Sequence, residues 1–176
     1  MSASRAPGTG VPATAPAVVR AYVGLGANLG DAVATVRAAL AELTALAHTM
    51  VVAQSALYRS APIDAQGPDF VNAVAALDTR LAAGALLDAL QAIERRHGRQ
   101  RPYCNAPRTL DLDLLLYGDA VIDVPPRLIV PHPRLHERAF VLVPLSQIAP
   151  DVQIPRRGPI GVCLARVAQQ RIERVD

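Results

Sequence analysis

The period of the hydrophobic positions changes several times along this chain, and each change marks the boundary of a predicted element. Val18 to Leu25 is an apolar, β-rich run. It ends in Gly24-Leu25-Gly26-Ala27-Asn28-Leu29-Gly30-Asp31, a cluster of turn formers whose last residue can cap a helix. Val33, Val36, Leu40, Leu43 and Ala47 then recur at steps of three and four, which predicts an amphipathic helix. A second strand is expected over about Met50–Arg59, a loop with two prolines and a glycine over Ser60–Asp69, and a third strand over Phe70–Thr79. Leu86, Leu87, Leu90 and Ile93 mark a second helix, with Gly98 placed to close it in the left-handed conformation. Arg99–Pro107 has no period and reads as a mobile loop. Thr109–Tyr117 is predicted as a strand that Gly118-Asp119 turns into a short partner at Ala120–Ile122. Leu128–Val130 is a further candidate strand, and a weak helix is expected near Ile160–Gln170 after a proline-punctuated stretch.

The order β-α-β-β-α-β is that of the split βαβ unit. The expected fold class is therefore α+β, a ferredoxin-like βαββαβ core with a mainly antiparallel sheet and helices packed on it. A length of 176 residues suits one domain, taken as 18–176, preceded by an Ala/Pro-rich extension over 1–17 that is expected to be disordered. That extension lacks the apolar run of a signal peptide, no stretch is long enough for a membrane span, and two cysteines make no disulfide scaffold, so a reducing cytoplasm is expected. A monomer is expected as well.

Composition narrows the chemistry. All 18 basic residues are arginine, which excludes a P-loop and a Schiff-base lysine and leaves arginine forks, backbone N–H groups and metal ions to handle phosphate. Aromatic residues are only 3% of the chain, with two phenylalanines, Phe70 and Phe140, and no tryptophan. Two such rings in an aliphatic core either fill space or stack a flat heterocycle. Too few aromatics stand on adjacent strands for sheet-face RNA recognition, so no nucleic-acid partner is expected.

Pro107-Arg108-Thr109-Leu110-Asp111-Leu112-Asp113-Leu114-Leu115 carries the sharpest signal. In a strand Leu110, Leu112, Leu114 and Leu116 share one face, and Asp111 and Asp113 share the other with Cα atoms roughly 6.5–7 Å apart. That pair suits Mg²⁺, and it equally suits a half-exposed strand with solvated acids. Arg95, Arg96, Arg99, Arg101, Arg108, Arg127, Arg134 and Arg138 bracket it on both sides. A solvated basic face is the usual meaning of such a run, whereas acids and arginines converging on one locus are what phosphoryl or pyrophosphoryl transfer needs. His132 and His136 have a zinc-like spacing, but Pro133 interrupts a regular helix between them, and phosphate contact by His132 is the better reading. The glycines of Gly24–Gly30 are one residue too widely spaced for a dinucleotide fingerprint.

Taken in order, Gly26–Asp31, Tyr58–Pro62, Asp69–Ala73, Glu94 with Gly98-Arg99, Pro107–Leu115 and Val130–Phe140 resemble the 6-hydroxymethyl-7,8-dihydropterin pyrophosphokinases of folate synthesis, over about Val18–Ile154. The resemblance implies pyrophosphate transfer from ATP to the pterin hydroxymethyl group. It implies two Mg²⁺ ions on Asp111 and Asp113, and ATP contacts from Gln91, Ile93, Arg101, Arg108, Leu114, Arg127, His132 and Arg138. Arg99 and Arg101 are implied in catalysis. Gly26, Pro62, Ile63, Phe70, Asn72 and Phe140 are implied in pterin binding, the two rings as a sandwich and Asn72 at the polar edge. The chain departs from the family at Cys104 and Asn105, where a basic and an aromatic residue are common. Competing readings are a nucleotidyltransferase that uses the same acid pair and a catalytically silent ATP- or pterin-binding module.

Overall fold

In the computed structural model, residues 16–63, 67–98 and 109–175 are described. Strand β1 (Val19–Ala27) leads into helix α1 (Ala32–Thr44), whose start is fixed by Asp31: its Oδ1 accepts the Ala34 N–H at 2.9 Å. Strands β2 (Thr49–Gln54) and β3 (Leu57–Ser60) come next, then β4 (Phe70–Thr79), helix α2 (Ala83–Arg96) and β5 (Asp111–Tyr117). Gly98 follows α2 at φ +72°, the left-handed closure expected of it.

The single strand expected over Met50–Arg59 is broken. At the break Ser55 N–H donates to Val74 O, and Ser55 Oγ accepts from Val74 N–H, both at 2.9 Å. Ser55 therefore replaces one rung of the ladder, and β2 and β3 pair with opposite halves of β4. The six-stranded sheet runs β10-β3-β4-β1-β5, where β10 is the late strand Ile172–Val175, with β2 beside β4, and every pairing is antiparallel. With β2 and β3 counted as one strand, this is the ferredoxin-like order.

The hairpin expected between β5 and Ala120–Ile122 does not form. Strand β6 (Ile122–Val124) pairs instead with β7 (Leu128–Val130), as a separate ribbon. Physically, the outer edge of β5 is already used, because His132 N–H donates to Leu115 O at 2.9 Å. A 3₁₀ turn at Leu135–Glu137 precedes helix α3 (Ala139–Ile148), which lies in the stretch that its prolines made look irregular. The short pair β8 (Gln153–Ile154) and β9 (Gly158–Pro159), helix α4 (Ile160–Arg166) and β10 (Ile172–Val175) complete the chain. Among the described residues no helix is long and apolar enough to cross a membrane.

Two cores lie on opposite faces of the sheet. Helices α1 and α2 cover Val23, Leu25, Ala73, Ala75, Leu112 and Leu114 on one face. On the other, α3 and α4 cover Val74, Leu115 and Leu116, and among the described residues no helix covers the rest of that face.

Candidate active site

Strand alternation decides which side chains meet on that second face. Because Leu25, Val71, Ala73, Leu112 and Leu114 point to the α1/α2 core, their neighbours Gly24, Gly26, Phe70, Asn72, Asp111 and Asp113 point the other way. The register puts them in rows. Gly26 stands between Asn72 on β4 and Asp111 on β5, and Gly24 between Val74 and Asp113. Neighbouring strands lie about 4.8 Å apart, so Asn72 and Asp111 are on the order of 10 Å apart across bare glycine backbone. A Cβ at Gly26 would stand 3.4 Å from Asn72 Oδ1 and 4.0 Å from Phe70 Cδ1, so this glycine keeps the floor of the cleft open.

The walls come from other elements. Ser60, Ala61 and Ile63 border the cleft after β3, and Arg134, Arg138 and Phe140 border it from the far side. Two glutamines missed by sequence reasoning fix that far wall. Gln170 Oε1 accepts the Ala139 N–H at 2.8 Å while its Nε2 donates to Glu137 O, which pins the first turn of α3. Gln147 Oε1 accepts from Ala56 N–H and Tyr58 O–H, which ties the far end of α3 to the β2–β3 break. Phe140 is thereby held opposite the sheet that carries Phe70. The Arg138 guanidinium lies 5.5 Å from the centre of the Phe140 ring, a cation–π contact at the cleft wall.

The acidic side has its own support. Glu94, on α2, is 1% exposed, and its Oε1 accepts the Leu112 N–H at 2.7 Å. Leu112 lies between the two aspartates, so this buried acceptor helps set where they enter the cleft. His132 packs beside them with Nε2 3.9 Å from Asp113 Oδ2. Burial, then the nearby Arg138 guanidinium, pushes the His132 pKa down to about 4, against the opposing pull of Asp111. Its Nδ1 accepts the Arg134 N–H at 3.2 Å, so the neutral ring carries its proton on Nε2, towards Asp113.

Other residues from the sequence reading are placed elsewhere. Ile93 and Leu114 are buried in the α1/α2 core, so any nucleotide contact from them goes through main chain. Gln91 is half-buried on α2. Arg127 sits in the β6–β7 turn, where Nη2 pairs with Asp88 Oδ1 at 2.6 Å. Pro62 is half-buried between the cleft-lining Ala61 and Ile63. Arg99, Arg101 and Arg108, with Cys104 and Asn105, lie outside the described residues.

Residues 22–150 match the family of 7,8-dihydro-6-hydroxymethylpterin-pyrophosphokinase. The chain belongs to this family. A pyrophosphokinase of that kind from Pseudomonas aeruginosa, named 2-amino-4-hydroxy-6-hydroxymethyldihydropteridine pyrophosphokinase, is 48% identical over 159 residues, covering 90% of this chain and 98% of that one. Its namesake from Haemophilus influenzae is 41% identical over 160 residues, covering 90% and 99%. Among solved structures, an HPPK-DHPS in complex with substrates aligns at a TM-score of 0.64 with 12% identity, over 86% of this chain and 44% of the other. Plasmodium falciparum HPPK-DHPS with pterin and p-hydroxybenzoate aligns at 0.63 with 12% identity, over 90% and 47%. This chain thus spans under half of those longer chains, and at that identity they speak for the pyrophosphokinase fold alone.

Proposed function

We propose that this pyrophosphokinase transfers the terminal pyrophosphoryl group of ATP to the hydroxyl of 6-hydroxymethyl-7,8-dihydropterin, a step of folate biosynthesis. The observation that carries the reading is one cleft lined by a carboxylate pair, an amide and two phenyl rings, with bare glycine backbone between the acids and the amide. That span suits a flat heterocycle on the amide side with its hydroxymethyl arm reaching towards the acids. Phe70 and Phe140 stack the pterin, Asn72 reads its polar edge, and Gly26, Pro62 and Ile63 shape its seat.

The donor set of the acid pair fits magnesium. Among the described residues no three His, Cys, Asp or Glu side chains are grouped to hold a metal, so the protein offers hard carboxylate oxygens and leaves other positions to water and phosphate. Mg²⁺ is commonly bound that way. Asp111 and Asp113 would hold it, two ions in our reading, and the bound metal supplies charge neutralisation on the phosphates. The arginines Arg99, Arg101, Arg108, Arg127 and Arg138, with neutral His132 and with Gln91, Ile93 and Leu114, position ATP in line with the acceptor. The hydroxyl oxygen then forms a bond to the β-phosphorus and gives up its proton to solvent, the bond from that phosphorus to the α–β bridging oxygen breaks, and AMP leaves with that oxygen. Positioning and electrostatics account for most of such a rate.

Chromatography of a reaction containing the protein, ATP, Mg²⁺ and the pterin tests this. AMP and a pterin pyrophosphate are expected. ADP as the main nucleotide product overturns the reading, and release of pyrophosphate with an adenylylated pterin identifies a nucleotidyltransferase instead.

A further inference from the structure

Helix α3 starts without a cap of its own, because its N-cap residue is Arg138, which makes no side-chain cap bond. The first amide groups of a helix have no partner within it and need one from elsewhere. Here the partner is Gln170, 31 positions further on, whose Oε1 accepts the Ala139 N–H at 2.8 Å. Its Nε2 donates to Glu137 O at 2.8 Å, so one carboxamide closes on the main chain on either side of Arg138. Only this orientation of the amide serves, since a main-chain N–H only donates and a carbonyl oxygen only accepts. Gln170 is itself held on both sides. Its own N–H donates to Val167 O at 2.9 Å, and Val167 belongs to the α3/α4 core. Two residues later β10 pairs with β3 and sets Ile172 opposite Ser60, where the near wall of the cleft begins.

We propose that Gln170 is a positioning residue for the acceptor site, which fixes the wall carrying Phe140 at a set distance from the wall borne by β3 and β4. The proposal rests on the reading of this cleft as a pterin site and deepens it. The segment Gln170–Val175 reaches both walls, one through its carboxamide and the other through the β10–β3 ladder, so a short stretch of chain sets the gap between them. Stacking between two rings depends steeply on that gap, because a misfit of about 0.5–1 Å forfeits a quarter to a half of the contact attraction. Without the carboxamide, the Ala139 N–H and Glu137 O lose this partner and the first turn of α3 is free to shift. Phe140 lies within that turn and shifts with it. Asp111 and Asp113 stand on β5 and keep their places, so the loss falls on acceptor binding rather than on the chemical step.

The test is steady-state turnover of ATP and 6-hydroxymethyl-7,8-dihydropterin with Mg²⁺ by the full chain. Gln170→Met fills nearly the same volume without hydrogen bonds. It should raise the KM for the pterin by roughly 10-fold, while kcat and the KM for ATP change by less than about 3-fold. In a Phe140→Ala background the same substitution should raise the pterin KM by less than about 2-fold, because the ring it positions is already gone. A merely structural glutamine would give a similar loss with and without the ring, and that result overturns the proposal, as does an unchanged pterin KM in Gln170→Met. Should Gln170→Met fail to fold, Gln170→Glu reads the same point. It keeps the bond from the Ala139 N–H and sets a carboxylate oxygen against Glu137 O, so a smaller rise is expected, again only where Phe140 is present. No rise, or an equal rise without the ring, refutes the assignment. Failure of the unaltered protein to turn over this pterin would instead remove the pterin reading itself.

Discussion

One sheet here carries two faces built from the same strands, and they differ in nearly every physical respect. Towards α1 and α2, residues of β1, β4 and β5 form a closed aliphatic core in which Val23, Ala75 and Leu77 have no exposed surface. One residue further along the same strands, the side chains are glycine, amide, phenyl and carboxylate, around an open cleft. Asp111, Leu112 and Asp113 show the contrast within three positions. Burial on one face supplies the rigidity that holds polar groups in place on the other, so stability and chemistry can be altered separately.

The largest effect expected is on the open face. Asp111→Ala and Asp113→Ala should each lower Mg²⁺-dependent turnover by about 1,000-fold with little change in melting temperature, measured by initial rates beside thermal unfolding. If either variant keeps near-normal activity, the metal assignment is wrong. Leu112→Ala, between them, sharpens the comparison in the opposite sense. Its side chain is 3% exposed, so truncation should destabilise the fold by about 2–5 kcal/mol in denaturant titrations, while turnover per folded molecule falls far less than for its neighbours.

Much of the closed face was legible in the sequence. The helical stripes of α1 and α2 and the alternation of β5 are strong local signals, and Asp31 and Gly98 mark helix ends by chemistry that needs no tertiary context. Helix α3 was not legible. Phe140-Val141-Leu142-Val143-Pro144 has no helical period, and Pro144 inside the helix removes one i→i−4 bond, so only packing against Val74 and Leu115 makes the helix favourable. Strand β10 was missed because its register is set entirely by β3. At the open face, the acid pair and the two rings stand out by type and spacing. Ser60 and Glu94 do not, because their partners are 12 and 18 positions away in the chain, and nothing local announces such bonds.

Two smaller effects complete the contrast. Phe70→Ala and Phe140→Ala should each weaken pterin binding by about 1–3 kcal/mol and leave ATP affinity nearly unchanged, as read by titration with each ligand. Parallel losses for both ligands would instead indicate that the rings support the fold. His132 should make the metal-free protein sensitive to acid. Its pKa, lowered from 6.5 to about 4, means that between those values the unfolded chain binds the extra proton. Stability should therefore drop as pH falls through that window, by about 1 kcal/mol between pH 7 and 5.5. Unfolding of His132→Gln should lack this component, and an identical pH profile in the two proteins would contradict it.

The central claim is that the open face directs an acceptor hydroxyl to the β-phosphorus of ATP. The most direct measurement follows the label from ATP carrying ³²P at the β position, with Mg²⁺ and 6-hydroxymethyl-7,8-dihydropterin present. The label should leave the nucleotide and appear in the pterin product, with unlabelled AMP formed in equal amount. Label retained in ADP, or released as free pyrophosphate, would contradict the account.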